Sequence, residues 1–145
     1  MPGTAAYVRR QAIGAAVVNA VVNPALEWVL NRTRGFQPFL GANGVAANLV
    51  VTSVILSVLV ALFAARGARR KLAISPRRPG WLGACSGVGA AVAVVAALWL
   101  LDRSGVAGLS FPAFVMVKAG YCGFLGFVVV RLTLWRVPVS GQHTP

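Results

Sequence analysis

The chain has 145 residues, of which 58% are hydrophobic and only 11% charged, and its mean hydropathy is +0.77. A soluble domain carries about a quarter charged residues, so this composition excludes an ordinary soluble globule and fits one compact membrane unit. The net charge of +12, from 14 basic and 2 acidic residues, would suggest nucleic acid if the cations formed a patch with interleaved aromatics; they sit instead between apolar runs, which argues against that partner.

Four apolar spans follow in chain order. The first covers about residues 11–31, QAIGAAVVNAVVNPALEWVLN. Its Asn19, Asn23, Glu27 and Asn31 recur at every fourth position, which on an α-helix makes one slanting polar row. Asn19 and Glu27 are separated by about 80° of rotation and about 12 Å of rise, so the spacing predicts a shared face. Amides and a carboxylate inside a span cost up to a few kcal/mol, depending on depth. Such a face either packs on other helices through hydrogen bonds or lines a substrate or proton pathway. Pro24 lies within the row; it removes a donor from the Ala20 carbonyl, so a kink or local opening is expected there, with the freed carbonyl available to an amide or a water. The length of the apolar stretch, Glu27 inside it and the lack of a small-x-small cleavage site point to an uncleaved first helix.

The second span, 44–65, offers Asn48 and Thr52 in one half and Ser53 and Ser57 in the other. The segment after it, RGARRKLAISPRRPG at 66–80, is expected to be a basic loop, interrupted by Pro76 and Pro79. Its Arg69, Arg70, Lys71, Arg77 and Arg78 are candidate contacts for anionic lipid head groups, besides setting topology. The third span, 81–101, carries Gly83, Gly87 and Ala91 at four-residue spacing; the fourth, 112–134, carries Gly120, Gly123 and Gly126 at three-residue spacing. Small residues let helix backbones approach closely, within the chain first and between copies of it second. Each span reaches the roughly 20 residues that a helix needs to cross a bilayer, and helices are the form expected for them where backbone groups have no water. The expected fold is therefore all-α, a four-transmembrane-helix bundle forming a single membrane domain over 1–145.

Arg9, Arg10, Arg66, Arg69, Arg70, Lys71, Arg77, Arg78, Arg131 and Arg136 fall on one side of these spans, and Arg32, Arg34 and Arg103 on the other, ten against three. The positive-inside rule then places both termini in the cytoplasm. Trp28 and Trp99 lie near outer ends and Trp81 and Trp135 near inner ends, where tryptophan belts are expected. With that topology, Lys118 in span four lies about 9 Å and Glu27 about 6 Å below the same surface. The matched depths fit a charge pair, the alternatives being a protonated Glu27 or a Lys118 that snorkels outward on its own, and Asn19, Asn23, Glu27, Asn48 and Lys118, with Tyr121, form a candidate polar pocket open to the outside.

Cys85 and Cys122 differ in depth, which argues against a disulfide, and two thiols are no metal site. His143 stands alone in the terminal SGQHTP. No catalytic constellation, cofactor motif or phosphate-cradling loop is present in the sequence, so an enzyme is not expected. The excess of Arg over Lys hints at a GC-rich bacterial genome, hence a multi-pass protein of the inner membrane.

The size and layout resemble the small multidrug-resistance transporters, which use a glutamate in the first helix. The matching residue is Glu27, nearer the outer end here. The layout also resembles the GtrA-type proteins linked to moving lipid-bound sugars, through the texture IGAAVVNAVVNPALEWVL of span one. Their aromatic-basic ending of span two is replaced by FAARGARRK, and neither resemblance covers the chain. The functions expected are a non-enzymatic accessory or scaffold subunit of a membrane complex, in which the row docks another helix, or a small transporter or flippase-like helper, in which it lines a passage. Another membrane protein or a second copy of the chain is the expected protein partner.

Overall fold

A computed structural model describes residues 2–72, 76 and 78–135. Its elements are α1 (Pro2–Asn31), β1 (Phe36–Pro38), α2 (Val45–Leu72), α3 (Pro79–Arg103), β2 (Gly108–Ser110) and α4 (Phe111–Trp135). The four helices are each long and apolar enough to cross a membrane, the make-up of a multi-pass membrane protein.

Two helices are longer than their apolar spans. α1 begins at Pro2, a residue whose missing N–H and fixed φ suit a first helical position. α2 continues through Arg66, Arg69, Arg70 and Lys71 to Leu72, so the first half of the expected 66–80 loop is helix. Ala, Arg, Lys and Leu are strong helix formers, and cations in a last turn complement the helix dipole. α1 runs unbroken through Pro24. The nearby amides do not go to the Ala20 carbonyl: Asn19 Nδ2 donates to Ala15 O at 2.7 Å and Asn23 Nδ2 to Asn19 O at 3.3 Å.

The helices are arranged side by side in the order α1, α4, α2, α3, with α2 and α4 in the middle. The middle pair is accordingly the more buried, while α1 and α3 turn broad apolar faces outward. Glycine sets both outer seams. A Cβ on Gly83 would lie 2.6 Å from Ser57 O, and one on Gly87 would lie 2.8 Å from Ser53 O, so α3 rests directly on the α2 backbone. A Cβ on Gly123 would lie 3.1 Å from the Ala20 methyl, and one on Gly126 would lie 3.1 Å from Ala15 O, which seats α1 on α4 in the same way. The small-residue repeats are thus used within the chain, whereas Gly89 and Gly120 face open space.

At one end, the links α1–α2 and α3–α4 pair as an antiparallel ribbon that the sequence did not announce, with Phe36 opposite Ser110 and Pro38 opposite Gly108. Any Cβ on Gly108 would strike the Phe36 ring and the Gln37 carbonyl. α3 stops in a Schellman turn: Gly105, at φ 90°, donates to Asp102 O and Val106 donates to Leu101 O. The ribbon tucks Phe39, 1% exposed, into a core of Val45, Leu49, Leu98, Phe111 and Phe114. A second core, built from Leu56, Val60, Ala64, Leu125, Val129 and Leu134, fills the other half of the bundle. That other half ends in Arg9, Arg10, Arg66, Arg69, Arg70, Lys71, Arg78 and Arg131, and is called the basic end below.

Candidate functional site

The polar row delivers one member to the middle of the molecule. Glu27, one turn before the end of α1, points into the seam where α2 and α4 meet. Lys118, about two turns into α4, comes from the other side, and its Nζ lies 2.6 Å from Glu27 Oε2. The two side chains are only 7% and 5% exposed. Asn48, in the first turn of α2, closes the figure: its Nδ2 donates to Glu27 Oε2 at 3.1 Å and its Oδ1 accepts from Lys118 Nζ at 2.7 Å. Only this orientation of the amide works, because turning it over would set its oxygen against the carboxylate and its NH2 against the ammonium. Asn31 Nδ2 donates to the remaining oxygen, Glu27 Oε1, at 2.7 Å.

The carboxylate therefore receives three donors and the ammonium makes two charge-assisted bonds. The ammonium also lies 5.7 Å from the centre of the Phe114 ring, within cation–π reach. A neutral, internally satisfied cluster of this kind ties α1, α2 and α4 together.

One step farther from the ribbon, Tyr121 OH and Ser53 Oγ share a hydrogen bond, and Ser53 also donates to the Leu49 carbonyl. Tyr121 thus joins Ser53 rather than Glu27. Ser57 Oγ, a turn beyond and fully buried, and the Tyr7 hydroxyl near the basic end have no hydrogen-bond partner among the described residues.

The other candidates separate from the cluster. Asn19 and Asn23 bond along their own helix, and Asn23 Nδ2 also lies 3.3 Å from Asn19 Oδ1. The five residues Asn19, Asn23, Glu27, Asn48 and Lys118 are therefore not one pocket. The 80° between Asn19 and Glu27 is enough to send them to different neighbours, since Asn19 abuts Gly126 of α4 and opens on a groove between α1 and α2. Toward the ribbon end, a groove of about 290 Å³ is lined by Arg34, Asn43 and Thr52, and Asn48 is the one cluster residue that reaches it. Arg69, Arg70, Lys71 and Arg78 are exposed at the basic end; Arg77, with Arg136 and His143, lies outside the described residues. Two partners of the cluster were not singled out as site residues, although each stands four positions from a charged one: Asn31 after Glu27 and Phe114 before Lys118.

Cys85 is exposed, Cys122 is buried, and both are free thiols. Trp28 packs on Phe111 with ring centroids 5.6 Å apart, beside the cluster and under the ribbon. No protein-family model, curated protein or solved structure matches the chain.

Proposed function

We propose that this chain is a non-enzymatic accessory or scaffold subunit of a membrane complex in a bacterial inner membrane, with both termini cytoplasmic. The observation that carries this reading is the closure of Glu27, Asn48 and Lys118 upon themselves. Ionisable groups inside a span mark a transport pathway where a cargo or proton can reach them, and here the charged pair is used to join three helices. What remains for a partner is the outward apolar surface of α1 and α3, with Val18, Val21, Val29, Val88 and Val92 all exposed. Helices in a bilayer associate through such packing surfaces. The distribution of cations supports the orientation, because the basic end gathers the Arg and Lys of the last turns of α2 together with Arg9, Arg10 and Arg78.

A second reading, a small transporter or flippase-like helper, is favoured by one feature. Between α1 and α2 runs a groove of about 400 Å³ whose polar lining includes Gln11 and Asn19.

Purification in mild detergent separates the two. A foreign membrane protein recovered in fixed stoichiometry is the expected result, whereas a homo-oligomer alone would favour the helper. Reporter fusions after residues 35 and 105 should read periplasmic, and those after 72 and 140 cytoplasmic; a cytoplasmic signal at 35 would overturn the orientation.

A further inference from the structure

Two grooves flank a single ridge on α2. One, of about 510 Å³, lies on the α3 side and is lined by Leu62, Arg66, Arg69 and Pro79; the other is the 400 Å³ groove on the α1 side, with Leu56 and Val60. Leu59 and Phe63 line both, so this i, i+4 pair is the wall between them. Phe63 is 70% exposed on that wall. Arg66 and Arg69 follow within two turns toward the basic end and share one side of the helix at i, i+3.

No acidic side chain of this chain is available to these arginines. The two acidic residues, Glu27 and Asp102, both lie at the ribbon end, and among the described residues the one ion pair is Glu27–Lys118. Among the described residues neither arginine has an ion-pair partner, which leaves both open to an anion from outside. Two apolar grooves share the Leu59–Phe63 wall, and the one on the α3 side reaches Arg66 and Arg69 at the end of the helix; this has the shape and charge of one kind of ligand, a phosphate at the head-group layer with two hydrocarbon chains below it.

We propose that the basic end of α2 binds one two-chain anionic phospholipid, its phosphate on Arg66 and Arg69 and its acyl chains on either side of the Leu59–Phe63 ridge. Arg70 and Lys71 line neither groove, so they add to the general attraction for an anionic surface without belonging to the site. This requires that the chain lie in a bilayer, and it is independent of whether the protein is a scaffold or a helper.

Native mass spectrometry of the full chain, delipidated in non-ionic detergent and titrated with phosphatidylglycerol, tests the proposal. One phosphatidylglycerol per chain should be retained, with phosphatidylcholine bound more weakly. The double variant Arg66→Gln/Arg69→Gln should weaken phosphatidylglycerol about thirtyfold, the effect expected of losing two hydrogen bonds to the phosphate. Arg70→Gln/Lys71→Gln removes the same charge outside the grooves and should weaken it clearly less. Phe63→Ala, a change at an exposed position that leaves the arginines intact, should also weaken the lipid. Lysophosphatidylglycerol should bind less well than the two-chain lipid, and inorganic phosphate should not compete. Equal losses in the two double variants would reduce the site to diffuse charge and overturn the proposal. So would equal binding of the single-chain lipid, or displacement by inorganic phosphate.

Discussion

The Glu27–Lys118 contact is a burial problem solved by hydrogen bonding. Moving two charges out of water is costly, and their attraction offsets that cost only when the other lone pairs and protons are satisfied. Asn48 and Asn31 do this for the carboxylate, and Asn48 does it again for the ammonium. Removing one partner of a buried pair costs about 3–5 kcal/mol, while replacing both with apolar residues is often near neutral. In nanodiscs, Glu27→Ala and Lys118→Ala are therefore each expected to lower thermal stability strongly, with the double variant losing much less than the sum of the two. Strictly additive losses would mean that the residues do not interact. Asn48→Leu should cost about 1–3 kcal/mol or more, because it strands partners on both charges. Asn23→Leu should cost about 0.6 kcal/mol, the average for hydrogen bonds inside a membrane protein, since its bonds stay within α1. The sequence made Glu27 and Lys118 legible as partners because their depths matched. It did not show that Asn19 and Asn23 stay on their own helix, because a row at four-residue spacing drifts by about 40° per step on a helix and only the packing decides where it leaves the seam.

Among the elements, the decisive contacts are those of small residues. Gly83 and Gly87 have backbone, not side-chain ends, as their nearest neighbours on α2, so α3 cannot accommodate a methyl there by a rotamer change. Gly83→Ala is expected to cost about 1–3 kcal/mol by overpacking, read as a fall in melting temperature. Gly89→Ala, with nothing within 4 Å, should instead gain about 0.5–1 kcal/mol from helix propensity. A destabilised Gly89→Ala beside an unaffected Gly83→Ala would show that α3 faces the other way. Apolar length gave α3 and α4 to within two residues, and it failed where helix and apolarity part company. The arginine-rich last turns of α2 are helical without being apolar. The ribbon escaped notice because its strands are three residues each and carry Pro38 and Gly108, which read as loop residues. It forms because the α1–α2 and α3–α4 links emerge at the same end and Phe39 has a core to enter.

As a whole, the molecule has a charged clasp near one end, two glycine seams, and a belt of cations at the other end. Its outer helices are the least buried and carry the largest apolar surface. The central claim is that Glu27 and Lys118 serve the fold and not a passage. It is tested most directly by the apolar double variant Glu27→Leu/Lys118→Leu, assayed in cells for rescue of the phenotype of a deletion, with its melting temperature measured alongside. A variant that is as stable as wild type and restores function is the expected result. A variant that is equally stable yet leaves the deletion phenotype in place would contradict it and make the pair part of a transport pathway.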